Sequence, residues 1–265
     1  MGAAWLAHGQ AGRRQGATEV SPAHAQVIPL YRQDNSHPQA RVCAQCEVRR
    51  SALFGALDEA GLDQIHSHIA SLTLAPGDTV YQRGEQGAAV YTVRSGVVRF
   101  ERVTERGDRR IVRLAGRGDL VGQEVLLRRP YADDAVACTE VELCRIPCHL
   151  LNEMSAREPA LLHELMSRWQ NALDAAETWV TDLTTGPARR RVLRLLLKLS
   201  DYADTQGEIW LPSRDEMGAM LDMSVETASR LISALRRDGV LQTPGLRTVR
   251  VEREVLLGIL AVEDN

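Results

Sequence analysis

The stretch SRDEMGAMLDMSVETASRLISALRRDG, residues 213–239, decides how the chain is read. Ser213 and Glu216 form a capping box, in which the serine caps the backbone at Glu216 and the glutamate reaches back, so a helix begins there. Met217, Met220 and Leu221 give that helix an apolar side, and Asp222-Met223 forms a tight break. Ser224 then caps a second helix that carries Ala228, Leu231, Ile232 and Leu235 inward and stops at Gly239. Two short helices joined in this way are a helix-turn-helix. At the start of the second helix, Val225 precedes Glu226, Ser229 and Arg230, which stand at i, i+3 and i+4 and share one direction. Arginine can donate twice to guanine O6 and N7, glutamate can accept from cytosine N4, and serine does either. In isolation these three residues would read as an ordinary solvated face. The capped helix pair turns them into candidates for reading the base edges of DNA.

On the C-terminal side, Pro244-Gly245 and the alternating run Arg247 to Val251 suggest a β-hairpin wing. Arg247 and Arg250 there are equally suited to meeting phosphates and to a purely structural role. On the N-terminal side, Arg189 to Ser200 places Val192, Leu195, Leu196 and Leu199 on one face, as the first helix of the same C-terminal domain. Gly186-Pro187 stops the helix before it.

That preceding helix runs from Pro159 to about Thr184 with apolar residues at alternating steps of three and four. Leu162, Leu165, Trp169, Ala172, Ala176, Trp179 and Leu183 form the seam, and Met166, Leu173 and Val180 repeat every seven beside it. The pattern predicts a dimer interface of Leu162, Leu165, Trp169, Leu173, Ala176, Trp179 and Leu183. One long helix packed on its own domain is the alternative.

Further upstream, turn signals recur at Pro76-Gly77-Asp78, Gly84, Gly87, Ser95-Gly96, Gly107-Asp108 and Gly118-Asp119, with β-rich runs between them. Such spacing predicts a small β-sandwich or barrel. Residues 1–41 show neither period and predict a poorly ordered tail. At 265 residues the chain has room for two folded units, and its net charge of −3 means that any DNA contact must be local. No run of about 18 apolar residues and no leader pattern is present, which predicts a cytoplasmic protein without a membrane partner. Five cysteines (Cys43, Cys46, Cys138, Cys144 and Cys148) in such a chain predict thiols or metal ligands rather than disulfides. No Ser-His-Asp set, phosphate loop or zinc-protease helix is evident, so an enzyme is not expected.

These features resemble the Crp/Fnr family of transcription regulators over residues 42 to about 260. The resemblance rests on Arg94-Ser95-Gly96 and Gly118-Asp119-Leu120-Val121-Gly122 in the sensory half, and on Val225-Glu226-Thr227-Ala228-Ser229-Arg230, which looks like the Fnr branch's contact set. It implies an α+β chain: an N-terminal β-roll sensor domain, jelly-roll-like, over 42–150, a long dimerisation helix over 151–186, and a C-terminal winged helix-turn-helix over 187–265. It further implies a homodimer that reads TTGAT-type half-sites and touches RNA polymerase. Asp222 departs from the family, in which this turn often holds glycine.

The signal is less direct. Cyclic-nucleotide binders of the family grip the phosphate with Gly-Glu and Arg-Ser or Arg-Thr pairs, where this chain has Gly122-Gln123 and Asp133-Asp134. Two carboxylates repel a phosphate, so cyclic AMP is not expected. The Fnr branch carries a [4Fe-4S] cluster on cysteines, and Cys43, Cys46 and Cys144 match three of its four ligands. The remaining N-terminal ligand position holds Ala52 or Phe54, which leaves Cys148 as the candidate, with Cys138, His37 or a carboxylate behind it. A Cys43/Cys46 dithiol switch, a small anionic effector in the roll, and inert cysteines remain open as alternatives. His66 and His68, two apart, face different sides of a helix and make a poor shared site.

Overall fold

A computed structural model describes Leu53, Ile65 and residues 68–263. The expected tail, Cys43, Cys46, His37, Ala52, Phe54 and His66 lie outside the described residues.

The turn-punctuated region folds as two four-stranded sheets. One has the order β1 (Ala70–Leu74), β8 (Val141–Pro147), β3 (Ala89–Ser95), β6 (Leu120–Val121), and the other β2 (Thr79–Tyr81), β7 (Asp134–Ala137), β4 (Val98–Val103), β5 (Arg109–Ala115). All the pairings are antiparallel, so the expected β-roll is present. Strand β4 shows how the pattern builds it: Val98 and Phe100 are fully buried while Arg99 and Glu101 alternate to the other side. Gly96 closes the turn before β4 at φ 83°, and a Cβ there would lie 2.2 Å from the Glu140 carbonyl oxygen, so only glycine fits.

Helix α1 (Cys148–Arg157) leaves β8, and Glu158-Pro159 separates it from the long α2 (Pro159–Leu183). Proline at the first helical position starts α2 without losing a hydrogen bond that the first turn would have made. Helices α3 (Ala188–Ser200), α4 (Arg214–Leu221), α5 (Val225–Arg237) and α6 (Arg253–Glu263) complete the C-terminal half. Its two strands, β9 (Glu208–Trp210) and β10 (Thr248–Arg250), pair with each other. The run Arg247 to Val251, expected in a hairpin wing, thus pairs chiefly with β9, and the hairpin is reduced to one bridge, Gln242 to Arg250.

Two buried clusters hold the structure. The first fills the roll, with Val90, Phe100, Leu143 and Ile146 meeting Leu151 of α1 and Leu161 and Leu165 of α2. The second unites Leu195 and Leu196 of α3, Met217 of α4, and Ile232 and Leu235 of α5. It also takes in Val97, Ile111, Leu114 and Cys138 from the roll and Trp179 and Leu183 from α2. The C-terminal half is therefore packed on the roll through a shared apolar core.

Candidate nucleic-acid interface and sensory residues

The capping box is formed as the sequence requires: Glu216 N–H donates to Ser213 Oγ at 3.1 Å, and Ser213 N–H donates to Glu216 Oε2 at 2.6 Å. Asp222 ends α4 in the left-handed conformation, φ 54° and ψ 54°. Ser224 Oγ accepts from Thr227 N–H at 3.2 Å and so starts α5. Ala228, Ile232 and Leu235 are fully buried, which fixes the rotation of α5 and turns the other face outward. On that face Val225 is 45% exposed, and Glu226, Ser229 and Arg230 are exposed. The four expected reading residues thus stand together at the helix N-terminus, the part that such motifs present to base edges. Backbone N–H donation at Glu226 itself and the Ser224 hydroxyl hold the Glu226 carboxyl below the usual carboxylate range. It is an ionised acceptor, as hydrogen bonding to cytosine N4 needs.

Sequence reasoning missed the partners of this domain's charges. Glu216 is buried and receives ion pairs from two sides, Arg247 at the turn before β10 and Arg99 Nη1 of β4 at 3.4 Å. Arg247 also lies over the Trp210 ring, 5.6 Å from its centre. Of the two roles open to Arg247, the structure shows the structural one; Arg250 pairs with Glu208 at 2.9 Å. No local pattern signals these pairs, because Arg247 and Glu216 are 31 residues apart.

Helix α2 corrects the phase of the expected seam. Leu165, Trp179 and Leu183 are buried within their own chain, the first in the roll's core and the other two in the second core. They are spent on packing within the chain, which leaves little of their surface for a partner helix. What stays outward is Leu162, Met166, Leu173 and Val180, 48 to 61% exposed, with half-buried Trp169 and Ala176 between them. These six follow steps of four and three without a break, a complete seam for a second helix.

In the roll, Asp133 is bound by Arg102, and Asp134 Oδ1 accepts from Arg83 N–H at 2.8 Å. Tyr131 stacks on Tyr81 with ring centres 3.8 Å apart, and its hydroxyl donates to the Ala89 carbonyl at 2.7 Å. A Cβ on Gly122 would lie 2.8 Å from the Tyr131 ring, so the aromatic stack presses on the glycine. Both carboxylates are thus engaged, one by an arginine and one by backbone, and Tyr131 fills the space beside Gly122.

The described cysteines divide between the cores. Cys138 is buried in the second core, where burial pushes its thiol up to about 12 despite Arg99 Nη1 lying 3.9 Å away. Cys144 on β8 and Cys148 at the start of α1 are half-buried and pack against the roll's core. Cys138 and the Cys144/Cys148 pair thus belong to different apolar clusters. Among the described residues, no group of three or more His, Cys, Asp or Glu side chains is gathered as a metal site.

Two family models match the chain: a cyclic nucleotide-binding domain over residues 71–158 and a Crp-like helix-turn-helix domain over residues 190–257. The chain belongs to the Crp/Fnr family of transcription regulators. It is 28% identical over 214 residues to a "Probable transcriptional activator" of Rhizobium leguminosarum, covering 79% of this chain and 88% of that one. To the fumarate and nitrate reduction regulatory protein of Escherichia coli it is 26% identical over 225 residues, covering 83% and 90%. Among solved structures, FixK2 from Bradyrhizobium japonicum shares the fold with a TM-score of 0.64 at 24% identity, covering 72% of this chain and 96% of that one. A CRP-family regulator from Thermus thermophilus gives a TM-score of 0.61 at 26% identity, covering 72% and 96%. The relatives are regulators rather than enzymes, and among the described residues no helix is long and apolar enough to cross a membrane.

Proposed function

We propose that this Crp/Fnr regulator is a homodimer that reads a TTGAT-type palindrome with Val225, Glu226, Ser229 and Arg230. The observation that carries the proposal is the exposed, capped N-terminus of α5, with an ionised glutamate, a serine and an arginine on one face. The dimer forms along Leu162, Met166, Trp169, Leu173, Ala176 and Val180 of α2, which places two reading helices about one DNA turn apart. The bound dimer engages RNA polymerase.

The signal enters through cysteine. Cys43, Cys46 and Cys144, with Cys148 as the fourth thiolate, would hold a [4Fe-4S] cluster, whose chemistry supplies sensitivity to oxygen or redox state. Cys144 and Cys148 support this reading by sitting half-buried on the same core. A Cys43/Cys46 dithiol switch is the version that needs no metal. An anionic effector in the roll is disfavoured by the occupied carboxylates and the tyrosine stack.

Selection from a pool of random duplexes tests the reading, with TTGAT half-sites in two-fold arrangement expected. Enrichment of an unrelated or asymmetric sequence contradicts it. Anaerobic reconstitution tests the signal: visible iron-sulfur absorbance with matching iron and sulfide is expected, and a colourless, iron-free protein rules out the cluster.

A further inference from the structure

The reading half is tied to the sensory half by charge as well as by its core. From the start of β5, in the β4–β5 hairpin, Arg109 Nη2 donates to Asp215 on α4, and Arg110 Nη1 donates to Asp222 in the turn before α5. Below them, Arg99 of β4 lies against the buried Glu216, and Glu101 braces Arg99 and Arg109, the latter at 3.1 Å. Three arginines of the roll thus meet three consecutive acidic landmarks of the helix-turn-helix.

Asp222 is the informative member. Its left-handed backbone is one that glycine adopts without strain and an ordinary side chain does not. Nothing in the turn itself calls for a carboxylate, whereas the sensor's Arg110 does. Just beyond it, Ser224 and Val225 line a groove of about 1000 Å³ together with Thr104, Arg106, Arg109 and Arg110. The base-reading face stays exposed in this arrangement, so the contact is compatible with reading DNA.

We propose that the Arg110–Asp222 and Arg109–Asp215 pairs are an electrostatic latch by which the sensory roll presets the orientation of the reading helix. On this account the β4–β5 hairpin raises operator affinity without touching a base. The inference rests on α5 being the reading helix. A dimer must seat two heads at once, and a head held in register loses less freedom on binding than a loose one. An exposed ion pair is worth up to about fivefold in an equilibrium constant, and the two protomers multiply the effect to about 25-fold at most. Because the pairs are exposed, salt weakens the latch.

The test is Asp222→Asn in the full chain, since asparagine tolerates the left-handed turn and the fold is kept. Simple electrostatics says that removing an acid beside the reading helix tightens binding to a polyanion. The latch predicts the opposite sign: operator affinity falls about twofold to 25-fold at low salt, and binding to random duplex does not fall. Arg110→Gln weakens operator binding similarly, and the double variant is no weaker than the worse single, because both remove the same contact. Amide exchange over residues 214–222 rises in Asp222→Asn. Operator binding by Asp222→Asn that equals or exceeds wild type overturns the latch, as do single effects that add. Arg230→Ala separates the two ideas. If it leaves operator preference intact, the assignment of α5 has failed; if it abolishes preference while Asp222→Asn changes nothing, only the latch has.

Discussion

Leu173→Ala on α2 separates the two phases of the seam. Leu173 is 52% exposed in the protomer, whereas Leu165, eight residues earlier and in the other stripe, is 6% exposed. Burying a leucine fully is worth about 1.5–3 kcal/mol, so covering the exposed half gives about 0.8–1.5 kcal/mol per side chain. Each dimer buries two copies, and alanine keeps part of the contact, which leaves a loss of about 1–2 kcal/mol, or roughly five- to thirtyfold in the dimer dissociation constant. Sedimentation velocity across a dilution series reads that constant, while the Tm at a concentration where both proteins are dimeric falls little. Leu165→Ala should do the reverse: a loss of about 2–5 kcal/mol in folding stability, seen in denaturant melts, with the dimer constant of the folded fraction nearly unchanged. A dimer constant within twofold of wild type for Leu173→Ala, or a large shift for folded Leu165→Ala, would refute the phase assigned from burial.

Three further outcomes follow from the geometry. Glu216→Gln keeps an oxygen for the Ser213 N–H but leaves Arg99 and Arg247 without their shared carboxylate, so stability should fall by about 1–3 kcal/mol in urea melts. Glu216→Ala also removes the cap and should cost about 1 kcal/mol more. Cys138, buried with a thiol pushed up to about 12, should resist iodoacetamide at pH 8 until the protein unfolds, as mass mapping would show; alkylation in the native state contradicts its placement. The folded-state pKa of Glu226 is depressed, so its contribution is in place above the ordinary carboxylate pKa and is lost only as pH falls through the lower folded value. Operator binding by wild type should therefore show no Glu226-dependent loss between pH 8 and pH 5.5, which a comparison with Glu226→Gln across that window would reveal.

The helix-turn-helix was legible because its signals are local. Ser213 and Glu216, three apart, fix one helix start, Ser224 fixes the next, and Asp222 tolerates the left-handed break between them. The roll was legible through its turns, where glycines such as Gly96 stand at positions that exclude any side chain. The seam was half legible. Steps of three and four identify an apolar helix, but α2 carries two interleaved stripes, and only packing against the roll and α3 shows that Leu165, Trp179 and Leu183 are inward. The alternation at residues 247–251 announced a strand but not its partner, because β9 lies 40 residues upstream and has only three residues to reveal it. Least legible were the ion pairs between halves: Arg110 and Asp222 are 112 residues apart, and each alone reads as an ordinary surface charge. That distance is also why Asp222, read from the sequence alone, is a mere departure from the family.

The account stands or falls on whether α5 reads bases with the residues named. The most direct measurement is the affinity of wild type and Arg230→Ala for a two-fold operator, for single-base variants of each half-site, and for random duplex, over a salt series. The account predicts a loss of about 1–3 kcal/mol per half-site for Arg230→Ala, with preference relaxed at one guanine-bearing position and the salt slope nearly kept. Equal operator preference in wild type and Arg230→Ala, with discrimination retained at every position, would contradict it.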